Sequence, residues 1–105
     1  MIKIKNEGVR ARIAGLKPEI LLAIQIAYSV WPQHIDMVIT SGTELGDFRK
    51  KGSKHLSGQA IDIRTSGLDR ELVYDLTTFI QDALGTDYDV VLESNHIHIE
   101  FDPSP

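Results

Sequence analysis

The chain has 105 residues, a quarter of them charged, a formal net charge of −4 and no cysteine. That length leaves room for one domain, expected to occupy residues 1–105 around a single core, and the acidic balance argues against nucleic acid as the main partner. Without cysteine there is neither a disulfide framework nor a thiolate metal site, so any metal must be held by histidine nitrogen and carboxylate oxygen.

The first residues, Met1-Ile2-Lys3-Ile4-Lys5-Asn6-Glu7, contain no apolar core of a signal peptide, so synthesis in the cytoplasm without one is expected. The longest apolar run, Ile20 to Val30, is interrupted by Gln25, Tyr28 and Ser29 and is too short and too polar to insert into a bilayer.

Residues 2–14 alternate loosely, as in Ile2-Lys3-Ile4-Lys5 and Val9-Arg10-Ala11-Arg12-Ile13, and read as a weak strand or an extended arm. Lys17-Pro18-Glu19 begins a helix, with proline in the first turn and Glu19 complementing the helix dipole. Ile20, Leu21, Ile24, Ala27, Tyr28 and Trp31 recur at helical spacing, and Pro32 stops the run. Tyr28 and Trp31 read as core packing. Met37-Val38-Ile39-Thr40 is a short strand ended by Ser41-Gly42. A polar loop from Thr43 to Ser57 carries the basic residues Arg49, Lys50 and Lys51. His34 reads as a solvated loop residue.

Gln59 to Arg64 alternates cleanly, with Ala60, Asp62 and Arg64 on one face and Ile61 and Ile63 on the other. Asp69 is a plausible N-cap of a second helix. Its stripe is Leu72, Val73, Leu76, Phe79, Ile80 and Ala83, and Gly85 ends it. Tyr88 to Leu92 is a third clear strand. His96 to Phe101 is a fourth, with His96, His98 and Glu100 on one face and Ile97, Ile99 and Phe101 on the other. Packing the isoleucine faces of a mostly antiparallel sheet against both helices gives an α+β fold. The opposite face then opens a cleft holding His55, Asp62, His96 and His98.

Three of the four histidines fall in Ser53-Lys54-His55-Leu56-Ser57-Gly58-Gln59-Ala60-Ile61-Asp62-Ile63 and Glu93-Ser94-Asn95-His96-Ile97-His98-Ile99-Glu100. Two histidines, one carboxylate and an open position make a common catalytic zinc arrangement. His55 would come from a loop flanked by Gly52 and Gly58, Asp62 from the strand, and one histidine of the last strand would close the triangle. The helix-borne pattern His-Glu-x-x-His is absent.

Ser53-x-His55-x-x-Gly58-x-Ala60-x-Asp62-Ile63, followed by Glu93 and His96-x-His98, resembles the zinc D-alanyl-D-alanine carboxypeptidase family, which includes vancomycin-resistance peptidases and the L-alanyl-D-glutamate endolysins of phages. The resemblance covers roughly residues 36–103, with Val38-Ile39-Thr40-Ser41-Gly42 similar to the family's lead-in strand. It implies the small antiparallel-sheet fold shared with lysostaphin-like peptidases and the hedgehog signalling domain, with helices on one face and a zinc cleft on the other. It also implies Zn2+ as cofactor and hydrolysis of peptidoglycan stem peptides.

His55 and Asp62 carry over as ligands. For the third, the family offers two patterns. In Glu-x-x-His, His96 would bind and Glu93 would be the base; in His-x-His, the second histidine binds and the first assists. His98 is preferred as the ligand because Ile99-Glu100-Phe101 is similar to the strand following the ligand in the His-x-His group, leaving Glu93 and His96 as catalytic candidates. Ser53 resembles the family's substrate-contacting serine. Arg49 is the preferred substrate-binding cation, with Lys50, Lys51, Lys54 and Arg64 as further candidates, because arginine grips a carboxylate bidentately. Many relatives carry an arginine directly after the Ser-Gly of the lead-in strand. Here Thr43-Glu44 follows, which leaves carboxypeptidase and endopeptidase both open.

The missing leader and wall-binding module suggest a phage or prophage product, either carried in a particle or released to the wall with the help of a holin. The competing reading is a non-catalytic, zinc-stabilised binding or virion structural module.

Overall fold

Alternation in residues 60–64 and 96–101 requires one apolar and one polar face, and the two segments pair so that both conditions hold together. The computed structural model describes residues 1–46, 49 and 52–103. Its elements run β1 (Ile2–Ile4), α1 (Pro18–Val30), β2 (Met37–Ser41), β3 (Ala60–Arg64), α2 (Arg70–Leu84), β4 (Tyr88–Leu92) and β5 (His96–Phe101). The five strands form one mixed sheet in the order β1-β2-β3-β5-β4. Three of its pairs are antiparallel, and β1 runs parallel to β2.

The antiparallel register of β3 and β5 sets Ile61 opposite Ile99 and Ile63 opposite Ile97, and all four side chains are fully buried. Burial of each contributes about 1.5–3 kcal/mol. Ile20, Ala23, Ile24 and Ala27 of α1 and Val73, Leu76 and Ile80 of α2 are the buried helix positions. The helices pack against one another, α1 against β5 and α2 against β4. Trp31 is in the core and Tyr28 packs against it, as expected. Asp69 caps α2 by accepting the Leu72 N–H at 3.2 Å. His34 is exposed.

Leu21 and Phe79, expected in the buried stripes, are 47% and 51% exposed. Each sits at the margin of its stripe, where the arc facing the sheet has already turned to solvent.

Alternation at residues 9–13 does not produce a strand. After β1 the chain runs as an irregular strap whose hydrogen bonds go to two loops. Arg12 O accepts the Thr43 N–H at 2.7 Å, Ala14 O accepts the Thr43 hydroxyl at 2.5 Å, and Lys17 N–H donates to Gly58 O at 2.9 Å. The contact is so close that a Cβ at Gly42 would lie 2.1 Å from Arg12 O, and one at Gly58 2.2 Å from Gly15 O. Gly58 also has φ of +77°, a region that side chains rarely adopt.

β2 carries a bulge. Ile39 pairs with Ile63 but Ser41 pairs with Asp62, so one extra residue, Thr40, is accommodated on β2. A bulge bends its strand and re-aims the residues beyond it, here turning Ser41-Gly42 towards Asp62. Lys50, Lys51 and the last residues of the tail, 104–105, lie outside the described residues.

Gly85 also has positive φ (+86°) but open space around its Cα. Gly85→Ala is expected to cost about 1–3 kcal/mol from backbone strain alone. Gly58→Ala is expected to cost clearly more, because the strap must also move. Urea unfolding of the two variants side by side checks the difference.

Candidate metal centre

The register that buries the isoleucines also places Asp62 directly opposite His98, and Arg64 opposite His96, on the other face of the sheet. His55 reaches the same point from the loop before β3. That loop is a tight turn in which Leu56 N–H donates to Ser53 O and Gly58 N–H to His55 O, both at 3.1 Å. Ser53 Oγ accepts the His55 N–H at 3.2 Å, so the side chain of Ser53 steadies the turn.

His55, Asp62 and His98 each offer one ligand atom within 4.8 Å of the others. His55 Nε2 lies 3.3 Å from Asp62 Oδ1, and His98 Nδ1 lies 2.9 Å from the same oxygen. The edge of a tetrahedron with metal–ligand bonds of ~2.1 Å is roughly 3.4 Å, so these separations are close to what a small divalent ion requires.

The second nitrogen of each imidazole is occupied in a way that fits a ligand. His55 Nδ1 lies 3.1 Å from the Gly42 carbonyl, which can only accept, so Nδ1 carries a proton and Nε2 is the nitrogen left to face Asp62 and an ion. His98 Nε2 faces Glu100 Oε1 at 3.1 Å. Such outer partners fix ring orientation and raise ligand basicity. The donor chemistry and spacing therefore fit Zn2+ or a similar ion.

Burial alone would raise the Asp62 pKa. Hydrogen bonds from His55 and His98, and the nearby charges of His55 and His96, outweigh it and hold the carboxyl far below its ordinary range. The hydrogen bond to Asp62, helped by Glu100, raises the His98 pKa against the opposing effect of burial.

His96 stands at the edge of the cluster, its Nε2 3.7 Å from Asp62 Oδ2. Its Nδ1 lies 2.7 Å from Asn95 Oδ1, which selects the tautomer with the proton on Nδ1 and a basic Nε2 facing the cluster. Glu93 is exposed at the start of the β4–β5 turn, its N–H donating to His96 O at 2.8 Å. It lines a separate small hollow with Ser66, Leu68 and Arg70. Of the expected pair, His96 adjoins the ligand group and Glu93 is not part of it.

Arg49 is largely buried and built into the wall. Its Nη2 donates to Glu44 Oε2 at 2.5 Å, to Ser41 Oγ at 2.5 Å and to Gly42 O at 3.1 Å. Glu44 Oε1 accepts the N–H groups of Gly42 at 2.7 Å and Arg12 at 2.9 Å, and Oε2 accepts the Ser41 hydroxyl. Lys54 pairs across the surface with Asp102 at 3.8 Å. A cleft of about 560 Å³ extends from Asp62 past Thr40 and Ser41 to Lys5 and Arg64.

The roles of Glu44, Asn95 and Glu100 did not emerge from the sequence, although the pattern places Glu100 on the histidine face and Glu44 after the lead-in strand. Glu100 had a usable signal, since it shares a strand face with His98 two residues away. Asn95 directly precedes His96, but only the turn geometry reveals their contact. Comparison with protein-family models, curated proteins and solved structures found no match. Among the described residues the chain is α+β, with two helices, a five-stranded mixed sheet and a His55–Asp62–His98 group able to hold a metal ion.

Burial raises the Glu44 pKa, but hydrogen bonds from Ser41, Gly42 and Arg12 outweigh it and the net shift is downward. A lowered folded pKa means stability that is present above the unfolded value of about 4.3 and lost as pH falls through the folded one. Glu44→Gln is expected to cost about 1–3 kcal/mol at pH 7, because it removes the charge that accepts from Ser41, Gly42, Arg12 and Arg49. Urea unfolding at pH 7, 5 and 3.5 is expected to show that gap closing at the acid end.

Proposed function

We propose that the chain is a zinc metallopeptidase acting on peptide bonds of bacterial peptidoglycan stem peptides. The observation that carries the reading is the convergence of His55 Nε2 and His98 Nδ1 on one oxygen of Asp62, beside an open cleft. Three protein ligands with an adjoining cleft suit catalysis, whereas structural zinc sites are usually closed by four. Glu100, a further carboxylate beside the group, is already engaged by His98. The choice of peptidoglycan, and of a phage or prophage source, comes from the motif resemblance alone.

When bound, zinc would supply Lewis acidity towards the scissile carbonyl and the attacking water. The chain's own residues do the rest. Asp62, His55 and His98 hold the ion. The Gly42 carbonyl and Glu100 fix the two imidazoles. His96, kept in its Nδ1–H form by Asn95, takes the water's proton at Nε2 and returns it to the leaving amine. In its protonated form it also stabilises the negative oxygen that develops on the carbonyl. Glu93 at the turn serves as the proton carrier only if it rotates in from its separate hollow.

Digestion of purified peptidoglycan with and without chelator, followed by mass analysis of the fragments, tests the reading and separates carboxypeptidase from endopeptidase. Chelator-sensitive fragments are expected. Zinc retention without any such product would favour the non-catalytic, zinc-stabilised module. His98→Ala is expected to lose zinc. His96→Ala is expected to keep it while turnover drops ~10²- to 10⁴-fold, the usual worth of general acid–base help. Metal analysis on both variants checks the assignment, and the opposite pattern would make His96 the ligand.

A further inference from the structure

The two edges of the sheet are finished differently. Along β4 the outward backbone groups are closed by a side chain. Gln81 of α2 accepts the Val90 N–H at 3.0 Å and donates to Tyr88 O at 2.8 Å. Covering an edge in this way blocks pairing with another chain. β1 lacks such a cover. Met1 O and Lys5 N–H bond to β2, and backbone groups alternate in direction along a strand, so those of Ile2 and Ile4 point outward. Among the described residues no strand lies beyond β1 and no side chain bonds to these groups.

The open edge borders an apolar groove of about 430 Å³, whose lining includes Ile2 and Ile4 of β1, Ile13 of the strap and Leu21 and Leu22 of α1. All but Ile2 are exposed. Single exposed aliphatic residues are ordinary, whereas a contiguous group of them marks a surface that is covered by something. The local charge also departs from the rest of the chain. Residues 1–17 hold five of the eleven Lys and Arg but one of the fifteen Asp and Glu. On β1 the lysines alternate with the isoleucines, so they project from the other face of the sheet. Lys3 is held by Asp36 at 2.9 Å; Lys5 has no ion pair among the described residues.

These features select among occupants. A second copy pairing β1 with β1 antiparallel about its centre sets Lys3 against Lys3, and like charges directly opposite are unfavourable. Pairing of β1 with β4 of a second copy meets Gln81. A bilayer leaves the outward N–H and C=O groups of Ile2 and Ile4 unanswered. An extended peptide answers the edge, the groove and the charge together.

We propose that the outer edge of β1 and the groove beside α1 dock an extended segment of a partner protein, with aliphatic side chains facing α1 and acidic ones facing Lys5. The groove lies on the helix side of the sheet, opposite the metal group, so this docking does not depend on the peptidase reading.

The test uses the full chain and a labelled synthetic peptide of alternating valine and glutamate, with fluorescence anisotropy giving Kd. A valine–lysine counterpart is expected to bind roughly tenfold or more weakly. N-methylation of one set of alternate peptide amides is expected to weaken binding by a similar factor, and methylation of the other set to leave it unchanged, because only one set faces β1. The amides of Ile2 and Ile4 are expected to gain protection from hydrogen exchange. Leu22→Ser is expected to raise Kd roughly tenfold, whereas Phe79→Ser, an exposed site elsewhere, leaves it unchanged. Lys5→Glu is expected to reverse the preference between the two peptides. No binding of the valine–glutamate peptide, equal affinity for both peptides, or equal tolerance of N-methylation in either set would overturn the proposal. So would co-sedimentation with phosphatidylglycerol vesicles in the absence of peptide binding, which assigns the surface to a bilayer. Self-association abolished by Leu22→Ser would equally overturn it, in favour of a second copy.

Discussion

The carboxylate of Glu44 is the point on which the two loops of the site depend. It is 7% exposed, and a buried charge is tolerable only when its oxygens are filled. Two backbone N–H groups, the Ser41 hydroxyl and the Arg49 guanidinium fill them. Those donors come from the strap, from the end of β2 and from the loop beyond it, three segments with no regular ladder in common. The peptide of Gly42 joins this knot to the metal centre: its N–H is held by Glu44 and its carbonyl receives Nδ1–H of His55. The orientation of one candidate metal ligand is thus inherited from an ion pair outside the His55–Asp62–His98 group.

The three ligand residues are secured by two different means. Asp62 and His98 sit on adjacent strands whose reverse faces carry four fully buried isoleucines, so a shift in register would expose the core before it moved the ligands. His55 lies on a loop and has no such anchor. Its place depends on the strap packing against Gly42 and Gly58 at distances that exclude a side chain, and on the turn hydrogen bonds of residues 53–58. Disturbing the strap is therefore predicted to loosen one ligand while leaving the other two in register, a division that core substitutions in β3 or β5 would not produce.

Much of this arrangement was legible in the sequence because period-2 alternation encodes a two-faced strand directly. Residues 60–64 and 96–101 carried both the core and the ligands, and the two helices followed from their stripes and boundaries. The features that failed to show had non-local causes. The parallel pairing of β1 with β2 rests on contacts across more than thirty residues and leaves no local trace. The strap at 9–17 alternates like a strand, yet its partners are loop carbonyls and amides. Glu44 looked like a departure from a family pattern, whereas its burial and four donors give it a structural task that composition cannot express. Lys5 had no signal at all, since its position on the cleft wall exists only once β1 has docked.

The two oxygens of Asp62 separate two kinds of work. Both ligand histidines face Oδ1, while Oδ2 looks towards His96. A carboxylate used wholly as a ligand would leave no reason for a third imidazole at its outer oxygen, held in a fixed tautomer by Asn95. On the peptidase reading proposed above that imidazole is the general base, a group from which a purely structural site would gain nothing. Asp62 also lines the cleft that reaches Lys5 and Arg64. Along the paired strands β3 and β5 the register passes from Arg64 and His96 through Asp62 and His98 to Glu100, from a cation through the imidazoles to a carboxylate.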